Sequence, residues 1–195
     1  MLYLVGFFRN GRTYKIFTIY IIGVLLIDVI SSNLWSWFRI YNIFTTHFYD
    51  LFQFVLLSYF YATLLQTKKQ LYLVYLLLII LPVFLLSRYF FNPDQFFEYS
   101  LLEKYLATMP IIIYAAMHLY NNLDRKTAFY YANFGILFYL FTSTFILLLH
   151  SLIIVLDFKE FNDVMVNINI ILQYIKFAFF FYQWKLIYFN KNEHN

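Results

Sequence analysis

Six long apolar runs separated by short polar connectors dominate the chain. The runs cover approximately residues 14–33, 48–65, 71–91, 101–119, 128–156 and 164–189. Each run has about the 20 residues that an α-helix needs to cross the hydrocarbon core of a bilayer. Strands of a membrane barrel would alternate apolar and polar positions, whereas these runs are continuous. The pattern therefore predicts an all-α, polytopic membrane helix bundle with about six transmembrane helices.

The connectors leave no room for a second folded domain. The longest expected connector is residues 34–47, and the other four are shorter. Short connections place consecutive helices side by side and antiparallel. We therefore expect a single transmembrane helical domain over residues 1–195.

The first residues of the chain do not have the order of a signal peptide. Residues 1–8 are apolar, and the positive charges of Arg9, Arg12 and Lys15 come after them rather than before. Eight residues would reach only about 12 Å as a helix, too short to span. We expect this piece to lie in the membrane interface or to be the end of a helix that begins earlier.

Composition supports the membrane class. The chain is 63% hydrophobic and 12% charged, whereas a soluble domain has about a quarter of its residues charged. A soluble protein of this size would leave large apolar patches facing water. The absence of cysteine excludes disulfide frameworks, thiolate metal sites and cysteine nucleophiles.

The positions of Lys and Arg predict the orientation, because short loops rich in these residues stay on the cytoplasmic side. With six spans, three basic residues fall on one side: Arg39, Arg88 and Lys159. Nine fall on the other: Arg9, Arg12, Lys15, Lys68, Lys69, Arg125, Lys126, Lys185 and Lys191. We therefore expect both termini in the cytoplasm and the protein in the inner (cytoplasmic) membrane of a bacterium.

Polar residues inside the apolar runs are candidate functional groups, because an ionisable group in the bilayer costs free energy unless it finds a partner. Asn169, Gln173 and Lys176 follow the spacing of one helix face. The interpretation is an outward-facing polar pocket with Lys176 at its floor and Asp28, Asp50 or Glu103 as counter-charges. Its candidate residues are Asp28, Asp50, Gln53, Glu103, Lys104, His150, Asn169, Gln173 and Lys176.

A structural role for the same residues stays open. Glu103 and Lys104 could reach the lipid headgroups from the end of their helix. Lys176 could be neutralised by one carboxylate or by burial, and fix helix packing.

Motifs for enzymatic chemistry are absent from the sequence. It contains no H-E-x-x-H, no G-x-S-x-G and no phosphate-binding glycine loop. His47 and Asp50 are three positions apart, which we interpret as a hydrogen bond at a loop end rather than a catalytic dyad. We expect no enzymatic activity, no cofactor, no metal site and no direct contact with nucleic acid.

Two stretches of the chain resemble a group of proteins. They are residues 47–54, His-Phe-Tyr-Asp-Leu-Phe-Gln-Phe, and residues 133–139, Asn-Phe-Gly-Ile-Leu-Phe-Tyr, which are followed by Ser143 and Phe145. The pattern resembles that of small six- or seven-helix integral membrane proteins of Bacteroidetes, which usually have Glu where Gln53 stands. The resemblance implies a membrane helix bundle and, in some members, one additional N-terminal helix. It implies no particular activity.

A second resemblance rests on size, helix number and the Phe/Tyr/Lys/Asn bias alone. In these properties the chain is similar to the membrane accessory proteins of type VI-B CRISPR systems, which modulate an RNA-guided RNase. This resemblance implies antiviral defence and a soluble effector at the cytoplasmic face.

We expect a sensing, regulatory or accessory role in the membrane, exerted through a protein partner. Besides membrane lipids, that partner would contact the basic cytoplasmic loops at Lys68, Lys69, Arg125 and Lys126. Homo-oligomerisation stays open. The alternative from another class is a pore or transporter, in which the outward polar pocket ending at Lys176 continues into a water path.

Overall fold

The computed structural model describes residues 2–39, 42–123, 127–155 and 162–190, and nearly all of them are helical. Two short 3-10 helices cover Leu2–Leu4 and Pro93–Phe97. The six α-helices are α1 (Arg12–Phe38), α2 (Ile43–Leu64), α3 (Lys68–Phe91), α4 (Leu101–Asn121), α5 (Tyr130–Val155) and α6 (Asn162–Asn190). The prediction of an all-α fold is confirmed.

The prediction of a connector over residues 34–47 is wrong, because the helices on either side extend into this range. Helix α1 continues to Phe38 and α2 already begins at Ile43. The Asn42 side chain donates to the Oγ and carbonyl oxygens of Ser31, at 2.9 and 3.2 Å, and the Thr45 hydroxyl lies 2.9 Å from the same Oγ. These polar residues interrupt the apolar pattern, but they satisfy one another across the two helices.

Within the described residues, four helices are long and apolar enough to span a membrane: α1, α3, residues Tyr130–Ile153 of α5 and residues Asp163–Phe189 of α6. Helices α2 and α4 are not among them. Their sequences include ionisable side chains, such as His47 and Asp50 in α2 and Glu103 and Lys104 in α4, which lower the mean hydropathy.

The long apolar helices expose much of their surface. Helix α3 buries Val74, Leu81 and Leu85, whereas Ile79 and Val83 are more than 60% exposed. Monomeric soluble proteins rarely expose apolar faces of this extent. The faces suit lipid and support a membrane location.

The chain divides into two compact units, and Tyr3–Met117 forms the first. Within it α1 packs on α2 around Phe17 and Phe60, whose ring centroids are 5.0 Å apart. The N-terminal segment folds against the start of α1, where the Tyr14 hydroxyl donates to the Val5 carbonyl at 2.8 Å. The ring of Tyr3 packs on that of Phe17 at a centroid distance of 5.2 Å.

The second unit begins at His118 and contains α5 and α6. The two helices approach closely at Gly135, where an added Cβ atom would lie 2.8 Å from Cβ of Phe179. The Gln183 side chain of α6 accepts hydrogen bonds from the backbone N–H groups of Tyr131 and Ala132, at 3.0 and 3.4 Å. It thus caps the N-terminus of α5. A single domain over the whole chain stays a prediction.

Candidate functional site

Five polar side chains from three helices form a cluster inside the first unit. They come from α2 (His47 and Asp50), α3 (Tyr89) and α4 (Glu103 and Lys104), and we call this set the polar cluster. His47 and Asp50 share a face of α2 because they are three positions apart. Neighbouring residues on a helix point about 100° apart, so Glu103 and Lys104 can reach different partners.

Glu103 joins the three helices at one oxygen atom. Its Oε2 lies 2.7 Å from Nδ1 of His47, and the hydroxyl of Tyr89 donates to the same oxygen. The Tyr89 hydroxyl also lies 3.0 Å from His47 Nδ1. Glu103 is only 2% exposed, so these contacts replace the water that a carboxylate would otherwise require.

Lys104 and Asp50 form the second ionic contact of the cluster. The Lys104 Nζ atom lies 2.5 Å from Oδ1 of Asp50 and 5.1 Å from the centre of the Tyr49 ring. The Asp50 side chain is 5% exposed, whereas that of Lys104 is 24% exposed. The carboxylate therefore depends on the pair more than the ammonium group does.

The connector between α3 and α4 covers His47. Phe96, in the 3-10 helix Pro93–Phe97, stacks on the imidazole with centroids 5.7 Å apart. The connector is held by Arg88, whose guanidinium donates to Gln95 Oε1 at 2.8 Å and to Ser100 Oγ at 3.5 Å. This arrangement keeps one aromatic wall of the site in place.

Gln53 lies one helical turn beyond Asp50 and is 1% exposed. The Tyr20 hydroxyl of α1 lies 3.4 Å from its Oε1. This second polar contact therefore joins α1 and α2 one turn from the polar cluster.

The two nitrogens of the His47 ring have different environments. Nδ1 contacts Glu103 and Tyr89, whereas Nε2 is buried and has no hydrogen-bond partner in the part of the chain that the structure describes. With His47 neutral and Nδ1 protonated, the Nε2 lone pair is available to a proton or to a hydrogen-bond donor.

The structure places four of the predicted pocket residues together, namely Asp50, Gln53, Glu103 and Lys104. The sequence suggested that Glu103 is a counter-charge of Lys176 or reaches the lipid headgroups. In the structure Glu103 is instead buried and bonded to His47 and Tyr89. His47 contacts Glu103 and Tyr89 rather than forming the expected loop-end hydrogen bond. Tyr89 was missed, because nothing in its sequence neighbourhood distinguishes it from the other tyrosines. Asp28 is half-buried in α1.

The remaining pocket candidates lie in the second unit. Lys176 is 1% exposed, with Nζ 4.0 Å from the centre of the Tyr139 ring. The Ser143 hydroxyl donates to Asn169 Oδ1 at 2.8 Å. His150 and Asn169 line a small cavity of about 110 Å³ between α5 and α6. Gln173 is half-buried.

The proposed counter-charges Asp50 and Glu103 have partners within their own unit. A common pocket that ends at Lys176 stays a prediction.

The two predicted contact loops are described to different extents. Lys68 and Lys69 are exposed in the first turn of α3. Arg125 and Lys126 lie outside the described residues. Among the residues that are described, no group of three or more His, Asp or Glu side chains could hold a metal ion.

The chain matches no protein-family model, no curated protein and no solved structure. The resemblances drawn from its sequence therefore stay predictions, and the site has to be interpreted from its own chemistry.

Proposed function

We propose that the chain is an integral protein of a bacterial cytoplasmic membrane, with six spans and both termini in the cytoplasm. We propose that it acts without enzymatic chemistry, as a membrane sensor that regulates a soluble protein partner. The polar cluster is the observation that carries this proposal. Ionisable groups in a membrane interior are expensive and usually mark function.

The cluster also explains how α2 and α4 could lie in a membrane despite their lower hydropathy. Their ionisable side chains bind each other, as Glu103 binds His47 and Lys104 binds Asp50. Polar side chains that are satisfied between helices cost much less than the same groups facing lipid. Six spans therefore agree with the contacts as well as with the distribution of basic residues.

Helix α3 offers a direct path from the cluster to the cytoplasmic side. Tyr89, the member of the cluster that α3 contributes, lies near the end of this helix. Lys68 and Lys69 lie at its start. The 21 positions from Lys68 to Tyr89 correspond to about 31 Å of helix, close to the thickness of the hydrocarbon core. Since α3 is buried only along Val74, Leu81 and Leu85, a small shift would disturb few contacts.

The topology can be tested with single cysteines, because the chain has none of its own. Gln66→Cys precedes α3 and Asp94→Cys lies in the connector after it, and both positions are exposed. In spheroplasts, a membrane-impermeant maleimide should label position 94 directly and position 66 only after permeabilisation. Labelling of position 66 in intact spheroplasts would contradict the orientation.

The sensing role can be tested by following the far end of α3. A cysteine at Lys69 should change its rate of maleimide labelling when Glu103→Gln alters the cluster. Glu98→Gln is the matched control, because Glu98 is exposed and forms none of the described hydrogen bonds of the cluster. An unchanged rate in a folded Glu103→Gln protein would contradict transmission through α3.

A pore or transporter is the second candidate, favoured by the complete burial of Lys176 and by the cavity beside His150 and Asn169. It predicts ion or small-solute flux in liposomes that contain the purified protein, and loss of that flux in Lys176→Met. Absence of flux from a folded sample would favour the sensor.

A further inference from the structure

We propose that the polar cluster is a binding site for a single proton, which Nε2 of His47 accepts. This inference rests on the proposed sensing function and names its input. It is carried by the charges of the cluster and by the environment of one nitrogen atom.

The ionised side chains of the cluster do not balance. Asp50 and Glu103 bring two negative charges, and Lys104 brings one positive charge to Asp50. With His47 neutral, Glu103 is a carboxylate that is 2% exposed, and its side-chain partners among the described residues, His47 and Tyr89, carry no permanent positive charge. A buried unbalanced charge is costly. One additional proton on His47 makes the cluster neutral and turns the contact at 2.7 Å into an ion pair.

Nε2 is the atom that can take this proton. Nδ1 is occupied by Glu103 and Tyr89, whereas Nε2 has no hydrogen-bond partner in the described chain. Phe96 stacks on the same ring. An aromatic face beside an imidazolium is electrostatically favourable.

Other titratable groups around the cluster come from every neighbouring element. They are Tyr20 of α1, Tyr49 of α2, Arg88 of α3, Tyr105 of α4 and Tyr99 of the connector. Arg88 donates to the uncharged Gln95 and Ser100 and so leaves Glu103 to His47 and Tyr89. Burial raises the pKa of Tyr99, against the effect of the nearby Lys104 charge, so this phenol stays neutral near pH 7.

A proton fits this site better than a metal cation. Cations such as Na⁺ and Ca²⁺ require several oxygen ligands, and here the carboxylate oxygens in contact already serve His47, Tyr89 and Lys104. Imidazole exchanges protons in the physiological range. The sensor would therefore respond to the pH on the side of the membrane where α2 and α4 begin.

The test follows the ring nitrogens of His47 by NMR, using the full chain labelled with ¹⁵N-histidine in lipid nanodiscs. His47→Gln identifies the resonances. Between about pH 5 and about pH 9, Nε2 of His47 should change from protonated to unprotonated. In the Glu103→Gln variant, His47 should bind the proton at least about tenfold more weakly, because the opposite charge is lost. Glu98→Gln should titrate like the wild type.

Three results would overturn the proton site. The first is a His47 that keeps one protonation state over the whole range. The second is a titration that Glu103→Gln does not change, and the third is a midpoint that moves when Na⁺ replaces K⁺ at constant ionic strength. The His118 and His150 resonances report whether each variant is folded.

The two proposals fail separately. A correctly inserted protein whose His47 does not titrate would overturn the proton site and leave the sensor without a known input. A His47 that titrates, with no effect of Glu103→Gln on the labelling of a cysteine at position 69, would overturn the sensor and leave the proton site.

Discussion

Nδ1 of His47 lies 2.7 Å from Oε2 of Glu103, although 56 positions separate the two residues in the chain. The contact fixes α4 against α2, and the Tyr89 hydroxyl extends it to α3. Because both side chains are almost fully buried, the pair defines how these helices are rotated toward one another.

Removing the Glu103 carboxylate should destabilise the protein. Glu103→Ala leaves Nδ1 of the buried His47 and the hydroxyl of the half-buried Tyr89 without their shared acceptor, which should lower the free energy of unfolding by about 3 kcal/mol. Unfolding in mixed detergent micelles measures the loss. Glu98→Ala removes the same side chain at an exposed site and should change little. Equal effects of the two variants would show that the cluster contributes nothing to stability.

The two members of the Lys104–Asp50 pair should respond unequally to substitution. Lys104→Met leaves a carboxylate whose side chain is 5% exposed without its cation and should cost about 3 kcal/mol. Asp50→Asn leaves an ammonium group that is 24% exposed and should cost about 1 kcal/mol. A double-mutant cycle measures the coupling, and the double variant should be more stable than Lys104→Met alone. The opposite order would mean that Asp50 does not depend on Lys104.

A methyl group at Gly135 should disturb the packing of α5 on α6. The added Cβ would lie 2.8 Å from Cβ of Phe179 and 3.4 Å from the carbonyl oxygen of Lys176. Both neighbours are close to the backbone, so overpacking should cost about 1–3 kcal/mol. Gly11→Ala is the matched control, because nothing lies within 4 Å of its Cβ position. Thermal unfolding should show a loss for Gly135→Ala alone.

The cap that Gln183 provides for α5 should also be measurable. Gln183→Ala removes the acceptor for two backbone N–H groups and should cost about 1–2 kcal/mol. Hydrogen exchange at Tyr131 and Ala132 should accelerate in this variant. Gln173→Ala, at a half-buried position of the same helix, should leave exchange at those amides unchanged. If Gln183→Ala does not alter their exchange, the cap is not formed in solution.

The sequence by itself determined where the helices lie. Runs of about 20 apolar residues satisfy their own backbone hydrogen bonds only as helices, and all six predicted runs begin within five residues of the observed helices. The sequence failed at residues 34–47, where Ser31, Asn42 and Thr45 satisfy one another between α1 and α2.

The sequence also identified Asp50, Gln53, Glu103 and Lys104 as embedded polar residues, because such groups are costly wherever they occur. Only the tertiary structure decided their partners. Glu103 and Lys104 are neighbours on α4 but point about 100° apart. The rotation and register of α2 and α3 place His47 and Tyr89 beside Glu103. They place Asp50 beside Lys104. Spacing along one helix carries no information about the rotation of another, so the cluster could not be assembled from the sequence alone.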